Sequence, residues 1–465
     1  MKHFLYIIPV GLILFYASCT MNTGKTTASI DEVKLITLDP GHFHAALVQK
    51  TSYPQVSKDV YVYAPEGDEL QEHLKIINGY NTRAENSTQW NEIIYTGEDY
   101  IEKMLSDKKG NVMVTAGNNG RKAEYIGKAV SNAIHVLADK PMAINTADFE
   151  KLEECFHIAA QNGVLLYDIM TERYEVVTIL QREFSLLPAI YGEQQRGSLD
   201  DPAVVKESVH HFLKTVSGSP LKRPAWFFDT EQQGAGIADV ATHLVDLVQW
   251  ELFPEQVIDY RTDIELLDAN HWSTSLTAAQ FQEVTGYNSY PDYLKKDVSG
   301  DTLNVYSNGN IFYKIKGVHA KVSVIWNYSY PEGGGDTHYS VMKGSKAHLI
   351  IKQGEAQGYK PVLYIKTVQG TDLASYEKDL QNALSVITGK YPGISLHKIE
   401  KDTWEVDIPG EYHNGHEAHF GQVTEHFLQY LKEGLPAWEV PGMIAKYYTT
   451  THALKMAKAK RKQQL

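Results

Sequence analysis

Two architectures follow one another in this chain: an α/β part over residues 33–170, in which helices cover a parallel sheet, and an α+β part over 171–465 built on a large open, mainly antiparallel sheet. Three observations predict this order. Short apolar runs alternate with helical apolar spacing up to about residue 170, the pattern of strands joined by crossover helices. Between Ser299 and Gln369 the runs turn strand-like and are separated by Gly/Asp turns, which suits strands paired in antiparallel order. Helical periodicity then returns at 417–433 and 442–460, giving two helices that close the second part against the first.

Within the first part, strands are expected at 33–38, 59–63, 92–96, from 111, at 134–138 and at 163–170. Helices are expected at 98–106, 121–131 and 146–161, the last with Thr146 as its N-cap. This is the layout of a dinucleotide-binding sheet, whose ligands lie at the carboxyl ends of the strands. The strand 134–138 stops at Asp139-Lys140-Pro141, and Pro141 disfavours helix at Lys140, so the lysine is expected to lie extended at that edge. A lysine held there is a point charge that polarises a substrate oxygen. Asp-Lys-Pro is also an ordinary surface turn, so its context decides.

A second anchor follows at residues 234–250, where two glycines precede Asp239, His243 and Asp246. The spacing i, i+4, i+7 puts all three on one helical face, beside an apolar stripe of Ile237, Val240, Leu244, Leu247 and Val248. A plainer reading has Asp239 capping the helix and His243 hydrogen-bonded in the core.

Together, Asp139-Lys140-Pro141, the pair Arg173-Tyr174, Trp226, Gly234, Gly236 and Asp239-x-x-x-His243-x-x-Asp246 resemble the Gfo/Idh/MocA family of NAD(P)-dependent oxidoreductases. The resemblance implies a Rossmann-type first domain, NAD or NADP as cofactor, and a carbohydrate or polyol CH–OH group as substrate. Catalysis then falls to Lys140, Asp239 and His243. His243 is the natural base, Lys140 holds the same oxygen by charge, and Asp239 orients the histidine or binds a neighbouring hydroxyl. Which of Lys140 and His243 takes the proton stays open. Cofactor binding falls to Gly41, His42, Phe43, Glu66, Asn118, Asp139 and Lys140, and substrate binding to Arg173, Tyr174, Trp226 and Asp239. The antiparallel sheet of such proteins covers the substrate, and its outer face mediates homo-oligomers.

The chain departs from that pattern at the loop after the first strand. The expected G-x-G-x-x-G reads Asp39-Pro40-Gly41-His42-Phe43-His44, so one glycine of three remains. Asp39 sets a carboxylate near a dianionic diphosphate, which is repulsive unless screened or protonated. A helix N-terminus after Gly41 is expected to offer free N–H groups to an anion. Glu66 is the candidate for the ribose hydroxyls, displaced from the usual strand end. A cofactor-free glycan-binding or accessory protein on the same scaffold is therefore the alternative.

Residues 1–15 form a short basic start and an apolar core, and Tyr16-Ala-Ser-Cys19 resembles a lipoprotein signal-peptidase box. The expectation is a signal peptide at 1–18, acyl chains on Cys19, a polar tether over 19–32 and a periplasm-facing place in a bacterial envelope, with a plain signal peptide or an uncleaved anchor as the other readings. Of the two cysteines, only Cys155 then remains, inside a predicted amphipathic helix. Free nicotinamide cofactor is not expected outside the cytoplasm, so an exported enzyme would retain it through a redox-neutral cycle, as NAD-dependent glycosidases do.

Other features carry less. An insert over 260–297, rich in Tyr, Asn and Asp, is a lid or plain surface. Twenty-nine Tyr and seven Trp suit stacking on sugars, yet Tyr is common in antiparallel sheets. His210 and His211 fall on a strand, so one at most faces a pocket. His413, His416 and His419, with Glu417, have spacings that suit a loop entering a helix; the simpler reading puts one at the site rim, and no metal site is assigned. A net charge of -13 argues against nucleic acid, which requires a basic footprint, and the basic run 455–462 reads as a solvated helix end.

Overall fold

The computed structural model describes residues 32–216 and 219–464. The signal segment, Cys19 and nearly all of the tether therefore lie outside the described residues.

The first domain is a six-stranded parallel sheet in the order β3-β2-β1-β4-β5-β6. Its strands are β1 (Leu35–Leu38), β2 (Asp59–Ala64), β3 (Asn91–Thr96), β4 (Val112–Thr115), β5 (His135–Asp139) and β6 (Leu166–Ile169). β1, β4, β5 and β6 are buried along their whole length, as strands covered on both faces must be, which is why their sequences are apolar runs and not alternations. The crossovers are α1 (His44–Leu47), α2 (Asp68–Thr82), α3 (Tyr100–Asp107), α4 (Asn119–Ser131) and α5 (Thr146–Asn162). The order reverses between β1 and β4, and the crevice opens at their carboxyl ends.

Differences from the sequence expectation are local. The 15-residue helix α2 fills an interval in which no element is expected. Asn145, and not Thr146, caps α5, its side chain accepting from the Asp148 amide at 3.0 Å. The helix after Gly41 is a single turn, too short to carry an N-terminal anion site. Cys155 lies buried on α5 as a free thiol.

The second domain opens with α6 (Val176–Ser185) and β7 (Val204–His211). Its ten-stranded sheet runs Ile264–Thr277, Thr302–Ile315, Val318–Asn327, β7, Thr337–Lys343, Ala347–Gln353, Val362–Thr367, Thr403–Asp407, Ser395–Glu400, with Val298–Ser299 on Thr302–Ile315. β7 pairs with Val318–Asn327 in parallel, and the other described pairings in this sheet are antiparallel. More than a third of the supposed insert is thus the edge strand Ile264–Thr277, followed by the helix Ala278–Thr285, whose capping box joins Thr277 and Gln280.

Helix α7 (Ala241–Leu252) lies buried against this sheet, and the segment before it approaches so closely that a Cβ on Gly236 would stand 1.8 Å from the Ser307 carbonyl oxygen. Only glycine fits there. The terminal helix His416–Glu433 joins the core of the first domain through Phe420, Phe427 and Leu431, and Glu439–Gln464 packs across both, with Met443 and Tyr447 in the first core and Ala453 and Leu454 in the second.

Candidate active site

At the crevice, β1 ends in Asp39, which takes a left-handed backbone (φ 47°) where the expected motif has its first glycine. Aspartate is among the few residues that tolerate this conformation. Its carboxylate accepts from Tyr125 Oη at 2.6 Å and lies 3.6 Å from Arg121 Nη1. The loop closes on itself: the Gly41 amide donates to Asp39 O, His42 to Ala116 O, Ala45 to His42 O and Ala46 to Phe43 O, while the His44 amide donates to His42 Nδ1. Five of the amides from Gly41 to Ala46 are therefore engaged, contrary to the expected row of free donors. A Cβ on Gly117 would lie 2.6 Å from Asp39 O, so the crossing of the two loops needs that glycine. Phe43 is 40% exposed.

Trp226 reaches over this loop from the second domain, its indole near Gly41 and its Nε1 donating to Glu69 Oε1 at 3.1 Å. Asn118 caps α4 and donates to Gln232 Oε1 at 2.8 Å, so it ties the two domains. Glu66 is exposed just beyond β2.

The end of β5 carries the densest charge. Lys140 Nζ donates to Asp239 Oδ1 at 2.7 Å, and Gln233 Nε2 donates to Asp239 Oδ2 at 2.9 Å. Asp239 sits in the turn before α7, not on the helix with His243, and it holds the lysine, not the histidine. Burial opposes the Lys140 charge, but Asp239 and Asp139 more than offset it, so the group stays an ammonium above its ordinary range. His243 is half-buried, and its Nδ1 is buried with no hydrogen-bond partner. Burial, then Lys140 and His416, push its pKa well below the ordinary value, so the imidazole is neutral.

Asp139 meets His44, whose Nδ1 lies 3.0 Å from Oδ2. Burial works against its charge, yet His44, Lys122 and His42 keep it ionised. The buried Lys122 donates to the Asp139 carbonyl at 2.8 Å and to Asn119 Oδ1 at 2.6 Å, and burial pulls it down to about 8. Glu172 is pushed up to about 7 by burial and by Glu175, with Lys140 acting the other way. Sequence reasoning missed His44, Lys122, Glu172 and Gln233 as members of the site. Only His44 left a signal, the H-x-H that replaces the end of the glycine motif.

Arg173 and Tyr174 are directed elsewhere. Arg173 grips Asp246 through two bonds of 2.6 and 2.7 Å and Glu439 through two of 3.0 and 3.2 Å, while Lys446 bridges Asp246 and Asp168. This buried network joins β6, α7 and the last helix. Tyr174 Oη pairs with His426 Nδ1 at 2.7 Å. His210 and His211 both meet Asp336, at 3.3 and 3.0 Å, because the carboxylate caps the strand end instead of lying on one face. Of the three late histidines, His416 reaches the rim, its ring 5.6 Å from that of His44, whereas Glu417 pairs with Lys50.

Residues 58–168 match the "Oxidoreductase family, NAD-binding Rossmann fold", and residues 180–458 match the "Putative oxidoreductase C terminal domain". The first match starts after β1 and its loop. A crystal structure of "a putative oxidoreductase" from Parabacteroides merdae is 66% identical, with a TM-score of 0.92 over 94% of this chain and 100% of that one. Two distant structures share the fold: a biliverdin reductase from Synechocystis with biliverdin and NADP+ (12% identity, TM-score 0.54, 92% and 99% covered) and a 3-ketoreductase from Actinomadura kijaniata with NADP and TDP-benzene (12%, 0.53, 89% and 95%). No curated protein matches the chain.

Proposed function

The chain belongs to the Gfo/Idh/MocA oxidoreductases, an NAD(P)-binding family, and on that footing we propose that it interconverts a CH–OH and a carbonyl on a carbohydrate or polyol. One observation carries the proposal: a lysine from one domain, an aspartate from the other and a neutral histidine converge at the carboxyl edge of the parallel sheet.

A dinucleotide fits this crevice with an altered set of donors. Asp39 is partly screened by Arg121 and Tyr125, which lessens the repulsion its carboxylate would otherwise exert on a diphosphate. Arg121 is the cation for the phosphates, its side chain 56% exposed at the mouth, since the loop amides are engaged. Glu66, at the end of β2, is the candidate for the ribose hydroxyls. When bound, the nicotinamide supplies the hydride acceptor or donor.

The side chains then divide the remaining chemistry. Lys140, fixed as an ammonium by Asp239, steadies the alkoxide character that develops on the substrate oxygen. A lysine held charged is a poor base, so the hydroxyl proton goes to neutral His243. Asp239 and Gln233 offer further partners for neighbouring hydroxyls, and the exposed Phe43 and the half-buried Trp226 suit stacking on a sugar ring. We assign the reaction to the bacterial envelope, with Cys19 lipidated, because residues 1–19 have the lipoprotein pattern; a retained cofactor there makes the cycle redox-neutral.

The test is direct. Denatured protein is scanned for released nicotinamide absorbance, and the refolded or apo chain is titrated with NAD(H) and NADP(H) before turnover on a panel of sugars. Lys140→Ala and His243→Ala are expected to lower kcat by roughly 10²–10⁴ with folding intact. Absence of bound cofactor with no affinity for either dinucleotide overturns the proposal in favour of a glycan-binding protein, and near-normal rates in either variant remove that residue.

A further inference from the structure

His42, His44 and Asp139 each aim one ligand atom into the same small volume. The three atoms lie within 4.8 Å of one another. His44 Nδ1 is 3.0 Å and His42 Nδ1 3.9 Å from Asp139 Oδ2, and the two rings stand edge to face with centroids 4.0 Å apart; the long 3.4 Å bond from the His44 amide to His42 Nδ1 is released when that nitrogen ligates. Around a tetrahedral Zn2+ with ligand bonds of about 2.0–2.2 Å, neighbouring ligand atoms are separated by roughly 3.3–3.6 Å. The observed triangle reaches that spacing with shifts of under about an ångström.

We propose that His42, His44 and Asp139 form a binding site for a first-row divalent transition metal ion, with Zn2+ as its probe. Two imidazoles and one carboxylate are the ligands such ions prefer, and three protein ligands leave a position open for a water or a substrate oxygen. The chain builds the triad from the strand ends alone: the H-x-H follows β1 and the aspartate ends β5, two strands that both neighbour β4. The same loop that lost its glycines acquired the histidines.

Lys122, which donates to the Asp139 carbonyl at 2.8 Å, and Lys140, which donates to Asp239 at 2.7 Å, are the cations that oppose a metal here, and the Asp139 and Asp239 carboxylates offset them. His416 borders His44 from the helix His416–Glu433, the two ring centroids 5.6 Å apart.

This inference does not depend on the proposed reaction, and its readout is binding alone. Purified full-length protein is stripped with chelator and titrated calorimetrically with Zn2+, and Co2+ is added in parallel to read its visible ligand-field bands. One ion per chain is expected, with affinity weakened at least about 100-fold in His42→Ala, His44→Ala and Asp139→Asn. His157→Ala, a substitution of an exposed histidine on α5, should bind like the parent, and circular dichroism should show all variants folded. No stoichiometric binding, or binding that survives the double substitution of His42 and His44, overturns the proposal.

Discussion

Replacing Arg173 by methionine separates two roles for the same residue. The family spacing puts it on the substrate, whereas the structure clamps it between Asp246 and Glu439, whose side chains are each 2% exposed. Methionine keeps much of the length and apolar stem but removes four charge-assisted bonds of 2.6 to 3.2 Å. Asp246 retains Lys446 at 2.9 Å, while Glu439 is left with Tyr167 Oη at 3.4 Å. Breaking a buried ion pair by removing one partner costs about 3–5 kcal/mol, since the remaining charge is stranded. At roughly 2 °C per kcal/mol, the low end for large domains, Tm should fall by about 6–10 °C. Differential scanning fluorimetry of Arg173→Met, Glu439→Gln and the double variant reads this, and the double variant should lose less than the sum of the two, because the second change removes the stranded charge. A Tm within about 1 °C of the parent, with KM raised tenfold or more, would refute the clamp and restore the substrate role.

Two further outcomes are expected. Gly117→Ala should weaken nucleotide binding at least about tenfold by fluorescence titration, because the new methyl would stand 2.6 Å from Asp39 O and push the β1 loop out of place; unchanged affinity would show that the loop crossing is not part of the seat. Stability should also fall with acidification from about pH 6.5 to about pH 4. Burial lowers His73 to about 4, so the unfolded chain takes up its proton first as pH drops: stability is full above the ordinary histidine range, declines between the two values and levels below the folded one. At pH 5 this group alone accounts for about 2 kcal/mol, and His135, His271 and His419, all held near 4 by burial above all, act in the same direction. A denaturation midpoint that does not change from pH 7 to 5, or that rises, would contradict these buried neutral imidazoles.

The strand runs of the first domain were readable because a strand covered on both faces is apolar throughout, and β4 and β5 are such runs. The places of Lys140 at a strand end and His243 on a helix were readable for a different reason: the residues around them are constrained by backbone as well as chemistry, with Pro141 after the lysine and Gly236 before the helix. Arg173 misled because its spacing is a property of the chain, while its partners Asp246 and Glu439 arrive from 73 and 266 residues away. The edge strand Ile264–Thr277 was hidden by its polar, aromatic composition, which one half-exposed strand shares with many loops.

By itself, the order of apolar periods determined that a parallel sheet precedes a mainly antiparallel one, and that a lysine ends one strand while a histidine begins a later helix. Only the tertiary structure decided what each charge meets. Periodicity is a local consequence of how a side chain alternates between core and solvent, but an ion pair depends on which segments the folded chain brings together. Hence Asp239 went to Lys140 and not to His243, Arg173 to the domain junction, and His42 and His44 to Asp139 in the place where glycines were expected.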